Sequence, residues 1–123
     1  MSDPRRDPNC IFCKIVAGEI PAKKLHDDEH VLAFHDVRPQ APVHFLIIPK
    51  EHVATLYETN SAHEAALGRM LALAGALARK SGAADGFRTI INTGRVGHQE
   101  VYHVHMHVLG GPEPLGPMLQ RRK

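Results

Sequence analysis

Three histidines stand at alternate positions in the run His103-Val104-His105-Met106-His107. Side chains alternate faces along a strand, so an extended run sets all three imidazoles on one face, ~6.7 Å apart per step at a rise of ~3.3 Å per residue. Imidazole titrates near neutral pH and is the commonest side-chain metal ligand. Three in a row bury apolar surface poorly and pair poorly with one another. Two chemistries suit the pattern. One imidazole can attack phosphorus while its neighbours donate to phosphate oxygens or to a leaving group. Alternatively, the histidines can hold one catalytic metal, as His-x-His pairs on strands do in zinc enzymes. The spacing leaves both open.

A second cluster of reactive side chains lies near the start of the chain. Cys10 and Cys13 are the only cysteines, and they are too close in sequence for a long-range disulfide framework. In a reducing compartment Cys-x-x-Cys binds metal or does redox work. Histidine is also over-represented, at 10 of 123 residues.

The bulk numbers bound what can position these groups. A chain of 123 residues makes one domain with a genuine core. We expect a flexible arm over residues 1–9, rich in proline and charge, and a single domain over 10–123. The net charge is +2, with its basic runs at the ends, and there is no Trp. This gives no nucleic-acid footprint and no stacking platform. No stretch approaches the ~18 apolar residues of a membrane span, and the first residues lack the apolar core of a signal peptide. The expected compartment is therefore the cytoplasm, with no membrane or nucleic-acid partner.

Apolar spacing predicts a short helix from Cys10 to Gly18, stopped by Gly18 and Pro21. Strands are predicted over Lys23–His26, His30–His35, Val43–Ile48, Phe87–Asn92 and Tyr102–Leu109, with Val43–Ile48 central. A long helix begins at the box Ser61-Ala-His-Glu64, carries the stripe Leu67, Met70, Leu71, Ala74, Leu77 and Ala78, and ends at Gly82. Val104, Met106 and Val108 are expected beneath that helix. The fold class is α+β: a five-stranded antiparallel sheet, covered on one face by the long helix, with a short N-terminal helix besides. Its open edges make a dimer reasonable.

The triad combines with further segments. These are Ile20-Pro21-Ala22, Ala33-Phe34-His35-Asp36, Pro39-Gln40-Ala41-Pro42, His44-Phe45, Ile48-Pro49-Lys50 and Gln99-Glu100-Val101-Tyr102. Together they resemble the histidine triad (HIT) superfamily, from Ile11 to Gly111, and within it the Hint branch of purine nucleoside phosphoramidases. The resemblance implies the HIT-like fold and a homodimer with a continuous sheet. It also implies hydrolysis of the P–N or P–O bond of a purine nucleoside 5′-phosphate derivative, with an AMP-like ligand and no cofactor for the chemistry. His105 would be the nucleophile and form a nucleotidyl-histidine. His107 would bind the phosphate and assist the leaving group, and His44 would support the triad from behind.

By the same resemblance Asp36 accepts from the ribose hydroxyls, as suits a carboxylate facing a diol. Val37, with Ile11, Phe12, Ile15, Ile20 and Phe34, forms the purine slot. Asn92 contacts the phosphate or ribose side, and His98, Gln99 and Glu100 occupy the phosphate loop. Many relatives carry glycine at the place of His98 and a hydroxyl residue at the place of Glu100. The glutamate resembles the bacterial form and would favour basic leaving groups by charge attraction.

Other HIT branches, and the related galactose-1-phosphate uridylyltransferases, bind structural zinc through Cys-x-x-Cys and two histidines. That resemblance assigns Cys10, Cys13, His52 and His103 as a structural zinc set. Three other functions stay in view from the sequence. They are a dinucleoside polyphosphate hydrolase, a nucleotide-binding protein acting through partners, and a three-histidine metallohydrolase.

Overall fold

The computed structural model describes residues 5–118. Seven regular elements follow in order: α1 (Ile11–Val16), β1 (Lys24–Asp27), β2 (Val31–His35), β3 (Val43–Pro49), α2 (Glu64–Lys80), β4 (Phe87–Ile90) and β5 (Met106–Gly110). The strands form one antiparallel sheet in the order β1-β2-β3-β5-β4. β1 to β3 make a meander. The chain then crosses through α2 to the far edge, and β5 returns between β4 and β3.

Strand alternation builds two cores. Val31, Ala33, Val43, Phe45 and Ile47 face Met70, Ala74, Leu77 and Ala78 of α2, and Val104, Met106 and Val108 join them as expected. Leu32, Phe34, Leu46 and Ile48 face the other way and pack on Cys10, Phe12, Cys13 and Ile15. The sheet expected to be covered on one face is thus covered on both at its centre. Every residue of β3 is buried as a result.

Local signals differ in detail from the expectation. The capping box sits one turn earlier, on a 3-10 turn over Ser61–His63 that leads into α2, and uses Asn60 and His63, not Ser61 and Glu64; α2 itself has no side-chain cap. Asn60 Oδ1 accepts from the Ala62 amide, and His63 Nδ1 accepts from the Asn60 amide. An imidazole here does the work of the usual Glu or Gln. Leu71 leaves the apolar stripe and is 62% exposed. The C-terminus follows the expectation: Gly82, at φ 109°, lets the Ala83 amide bond the Ala78 carbonyl and the Gly82 amide bond that of Arg79.

The strand expected over Tyr102–Leu109 starts late, at Met106. Residues 101–105 run past the end of the β3–β5 ladder instead. There the Val104 amide bonds the Val53 carbonyl, beyond the end of β3. Pro49 has no amide to donate, so the ladder cannot continue along that stretch.

The expected flexible arm covers residues 1–9, of which 1–4 lie outside the described residues. Arg6 grips Glu19 through two N–H groups at 3.0 and 3.3 Å, and the Arg5 carbonyl accepts the His52 amide at 2.6 Å. No helix among the described residues is long and apolar enough to cross a membrane.

Candidate active site

His44 sits on β3 with the parity of Leu46 and Ile48, so it faces the α1 side. His107, opposite Leu46 in the β3–β5 ladder, faces the same way. His103 and His105 precede β5 but keep its parity, and Phe12 of α1 stands edge-to-face against both rings. The shared face predicted for the triad therefore holds although only His107 lies in the ladder.

Hydrogen bonds fix the proton on each ring. The Gln40 amide can only donate, and it points at His44 Nδ1 at 3.0 Å. The proton of neutral His44 is thereby on Nε2, which donates to His107 Nδ1 at 2.9 Å. His107 then carries its proton on Nε2. The carbonyl of His103 can only accept, and it faces His105 Nδ1 at 2.8 Å. His105 Nε2 is left with a lone pair. One ring thus offers a nucleophilic nitrogen while its neighbour, with centroids 5.1 Å apart, offers a donor.

The surroundings favour the neutral form of His44, His103 and His107. Burial pushes His107 down to about 4, with His105 and His44 adding to the effect against Asp36 and Glu100. Burial likewise lowers His44, against the pull of Asp36. Burial lowers His103 to about 4 as well, opposed by the Pro49 carbonyl.

A stability prediction follows from these shifts. The unfolded chain takes up protons at the ordinary histidine value of 6.5, and the folded chain takes them up at His103 and His107 only near 4. Below pH 6.5 the unfolded state binds more protons, so stability falls as pH drops. The urea midpoint of the metal-free protein should be flat from pH 6.5 to about 8 and decline from 6.5 to 4. A midpoint constant through that window would refute the buried neutral rings.

Asp36 does two things. Its Oδ1 accepts the Arg38 amide at 2.7 Å in the turn after β2, and its Oδ2 lies 3.4 Å from His44 Nε2. Ile11 and Val37 of the expected purine slot are 48% and 93% exposed and open to a ligand. Phe12, Ile15 and Phe34 are buried, and Ile20 packs at the margin of the same cluster. Asn92 is half-buried just past β4.

The loop between β4 and β5 is built around Gln99. Gln99 Oε1 accepts the Gly94 amide at 2.9 Å, and Nε2 donates to the Ala54 and Val101 carbonyls at 2.7 and 3.0 Å. Its side chain is fully engaged by backbone, so its contribution is the shape of the loop. His98 takes φ 60°, a left-handed conformation that favours glycine. Its ring and Glu100 are exposed, 3.6 Å apart.

Gly97 is required by close approach. A Cβ there would lie 2.5 Å from the Thr93 oxygen and 2.7 Å from its nitrogen. Gly97→Ala must open the loop. We expect kcat/KM to fall about 100-fold, the scale of a ~1 Å misplacement. Gly68→Ala, with nothing within 4 Å of its Cβ, is the control and should leave kcat/KM unchanged. Equal activity in both variants would refute the loop's role.

The first triad histidine shares that face but turns its Nδ1 to the two cysteines. His103 Nε2 donates to the Pro49 carbonyl at 2.7 Å, which turns the Nδ1 lone pair to Cys10 Sγ at 3.4 Å and Cys13 Sγ at 3.6 Å. His52 Nδ1 lies 3.4 Å from Cys13 Sγ. The four ligand atoms of Cys10, Cys13, His52 and His103 are all within 4.8 Å of one another. Zinc–sulfur and zinc–nitrogen bonds of ~2.3 and ~2.05 Å at the tetrahedral angle place N and S ~3.6 Å apart. The observed separations fit that figure. Burial pushes the Cys13 thiol up to about 11, against the Asp7 amide; a dication would reverse that preference.

Asp36, His44 and His107 form a second grouping of the same kind. It suits a metal badly, because the Gln40 amide holds the His44 proton on the nitrogen that would have to ligate. The three triad rings do not converge either, since their Nδ1 atoms face sulfurs, a carbonyl and His44. Sequence reasoning missed Gln40 and Pro49, whose backbone groups set the tautomers; a backbone contact leaves no trace in side-chain type.

A family model described as the HIT domain matches residues 17–113. The chain is 51% identical over 113 residues to the purine nucleoside phosphoramidase of Escherichia coli (strain K12), covering 91% of this chain and 94% of that protein. A HIT family hydrolase from Clostridium thermocellum superposes with a TM-score of 0.88 at 41% identity, covering 94% of this chain and 100% of its own. A HIT family hydrolase from Legionella pneumophila gives 0.81 at 48% identity, covering 85% and 95%.

Proposed function

The chain belongs to the HIT domain family and is a nucleotide hydrolase, and we propose from that premise that it cleaves the P–N bond of purine nucleoside 5′-phosphoramidates through a nucleotidyl-His105 intermediate. The observation that carries this reading is the proton order across three rings. The Gln40 amide, His44 and His107 form a line of donors that ends at His107 Nε2–H, beside a free lone pair on His105 Nε2.

In this reading the His105 lone pair bonds to the α-phosphorus, and the P–N electron pair departs with the amine. His107 Nε2–H holds a phosphoryl oxygen or the leaving nitrogen during the transfer. The departing amine takes its proton from His107 Nε2; water then displaces His105 from phosphorus, returning one proton to His107 and leaving the other with the phosphate. Asp36 would take the ribose hydroxyls, and Ile11 with Val37 would flank the purine. Asn92 and His98 would border the phosphate. Glu100, exposed at the mouth, would draw cationic leaving groups. The relevant assay offers adenosine 5′-phosphoramidate and diadenosine triphosphate in competition. Faster loss of the triphosphate would overturn the assignment.

Three finer features complete the proposal. Cys10, Cys13, His52 and His103 hold a structural zinc ion, which braces the fold and takes no part in the reaction. The open edge of β4, where Phe87 is 40% exposed, pairs with a second copy into a continuous sheet. The protein works in the reducing cytoplasm, where both thiols stay available to the metal.

A further inference from the structure

Asp7 touches three of the four residues of the cysteine–histidine cluster. Its amide donates to Cys13 Sγ at 3.4 Å, and its carbonyl accepts the Cys10 amide at 3.1 Å. Its Oδ2 lies 4.0 Å from His52 Nε2, while Oδ1 is held by the Asn9 amide at 2.8 Å. The His52 amide in turn bonds the Arg5 carbonyl. Residues 5–9 are thus laced along the cluster by backbone and side chain together.

The His52 ring explains the carboxylate. Its Nδ1 faces Cys13 Sγ, so a neutral ligating ring carries its proton on Nε2, the atom nearest Asp7. Metal-ligating histidines hand that second N–H to a carboxylate or carbonyl, which fixes the ring and raises its basicity. His103 has such a partner in the Pro49 carbonyl. Asp7 is placed to do the same for His52, and its amide adds a donor toward the Cys13 sulfur.

We propose that Asp7 is the positioning residue of the cluster, its carboxylate orienting His52 and its amide supporting the Cys13 thiolate, so that residues 5–9 form a strap over bound zinc. This rests on the reading of the cluster as a zinc site. The strap closes more firmly with metal present, because the His52 N–H then becomes a stronger donor.

The test measures zinc affinity of the full chain by competition with a chromophoric chelator, first in the wild type and then in Asp7→Asn. Asparagine keeps the backbone bonds and an oxygen for the Asn9 amide but removes the charge. The expected result is a loss of about 10-fold or more in zinc affinity, partly rescued by Asp7→Glu. The cobalt-loaded variant should keep its thiolate-to-metal absorption, and the metal-free melting temperature should not move. A zinc affinity within about threefold of wild type overturns the proposal. An equal loss of stability in the metal-free protein also overturns it, since that marks a merely structural role. A wild-type chain that takes up no zinc overturns the cluster reading itself, and the first measurement reveals that outcome separately.

Discussion

His105→Ala should lower turnover of adenosine 5′-phosphoramidate by about 10⁴-fold or more, the scale seen when a covalent nucleophile is removed from a machinery that acts as a unit. Nucleotide binding should change little, because Ile11, Val37, Asp36 and the loop around Gln99 lie on other elements. The structural reason for so large an effect is that nothing replaces the lost lone pair. His107 Nδ1 is taken by the His44 donor, His103 Nδ1 faces Cys10 and Cys13, and His44 Nδ1 is taken by the Gln40 amide. His107→Ala removes a donor and leaves the nucleophile, so its loss should be smaller, about 10²- to 10³-fold. Two measurements check this. Steady-state kinetics gives the ranking, and intact-protein mass spectrometry during turnover should detect one added nucleotidyl group in the wild type and none in His105→Ala. Added imidazole should restore part of the activity of His105→Gly, whose cavity admits the missing ring. Wild-type turnover in His105→Ala would sink the mechanism, whatever the adduct measurement shows.

What the sequence revealed about this site, and what it hid, divides along a physical line. Period-two alternation placed His103, His105 and His107 on one face and Val104, Met106 and Val108 on the other. It worked beyond the true strand start because Val104 still enters the core under α2 while the His103 and His105 rings both meet Phe12 on the other side, although residues 101–103 bend. The long helix was legible from its stripe because α2 buries Met70, Ala74, Leu77 and Ala78 against a single sheet face. Leu71 was misplaced because it lies at the margin of that stripe, where composition cannot say how far the sheet extends. The second core under α1 was harder to see, since six helical residues carry little periodicity. Tautomers were out of reach. They depend on the Gln40 amide and on the Pro49 and His103 carbonyls, and any residue type at those positions, save proline at the donor, would look the same. The role of Gln99 was also hidden, because a side chain that buckles a loop and one that meets a ligand have the same chemistry in a string of letters.

The zinc reading makes the second large prediction, and it separates a bracing metal from a reacting one. Replacing Cys10 and Cys13 together by serine removes both sulfur ligands at nearly unchanged volume. A metal that binds only the folded chain stabilises it by ~4 kcal/mol when present at a thousandfold its dissociation constant. In a domain of this size each kcal/mol moves the melting point by about 3–5 °C, so the double variant should melt ~10–20 °C below the zinc-loaded wild type. A strong chelator should bring the wild type down to the same point and leave the variant where it is. Activity at low temperature should respond differently. The bond that orients the proposed nucleophile runs from His105 Nδ1 to the backbone oxygen of His103, and His103 itself stays anchored at Nε2 by Pro49. Neither bond needs the metal, so chelated enzyme should keep turnover within a few-fold of the loaded enzyme below its lowered melting point. Abolished turnover in chelated but still folded protein would instead place the metal in the reaction, against the proposed attack by His105.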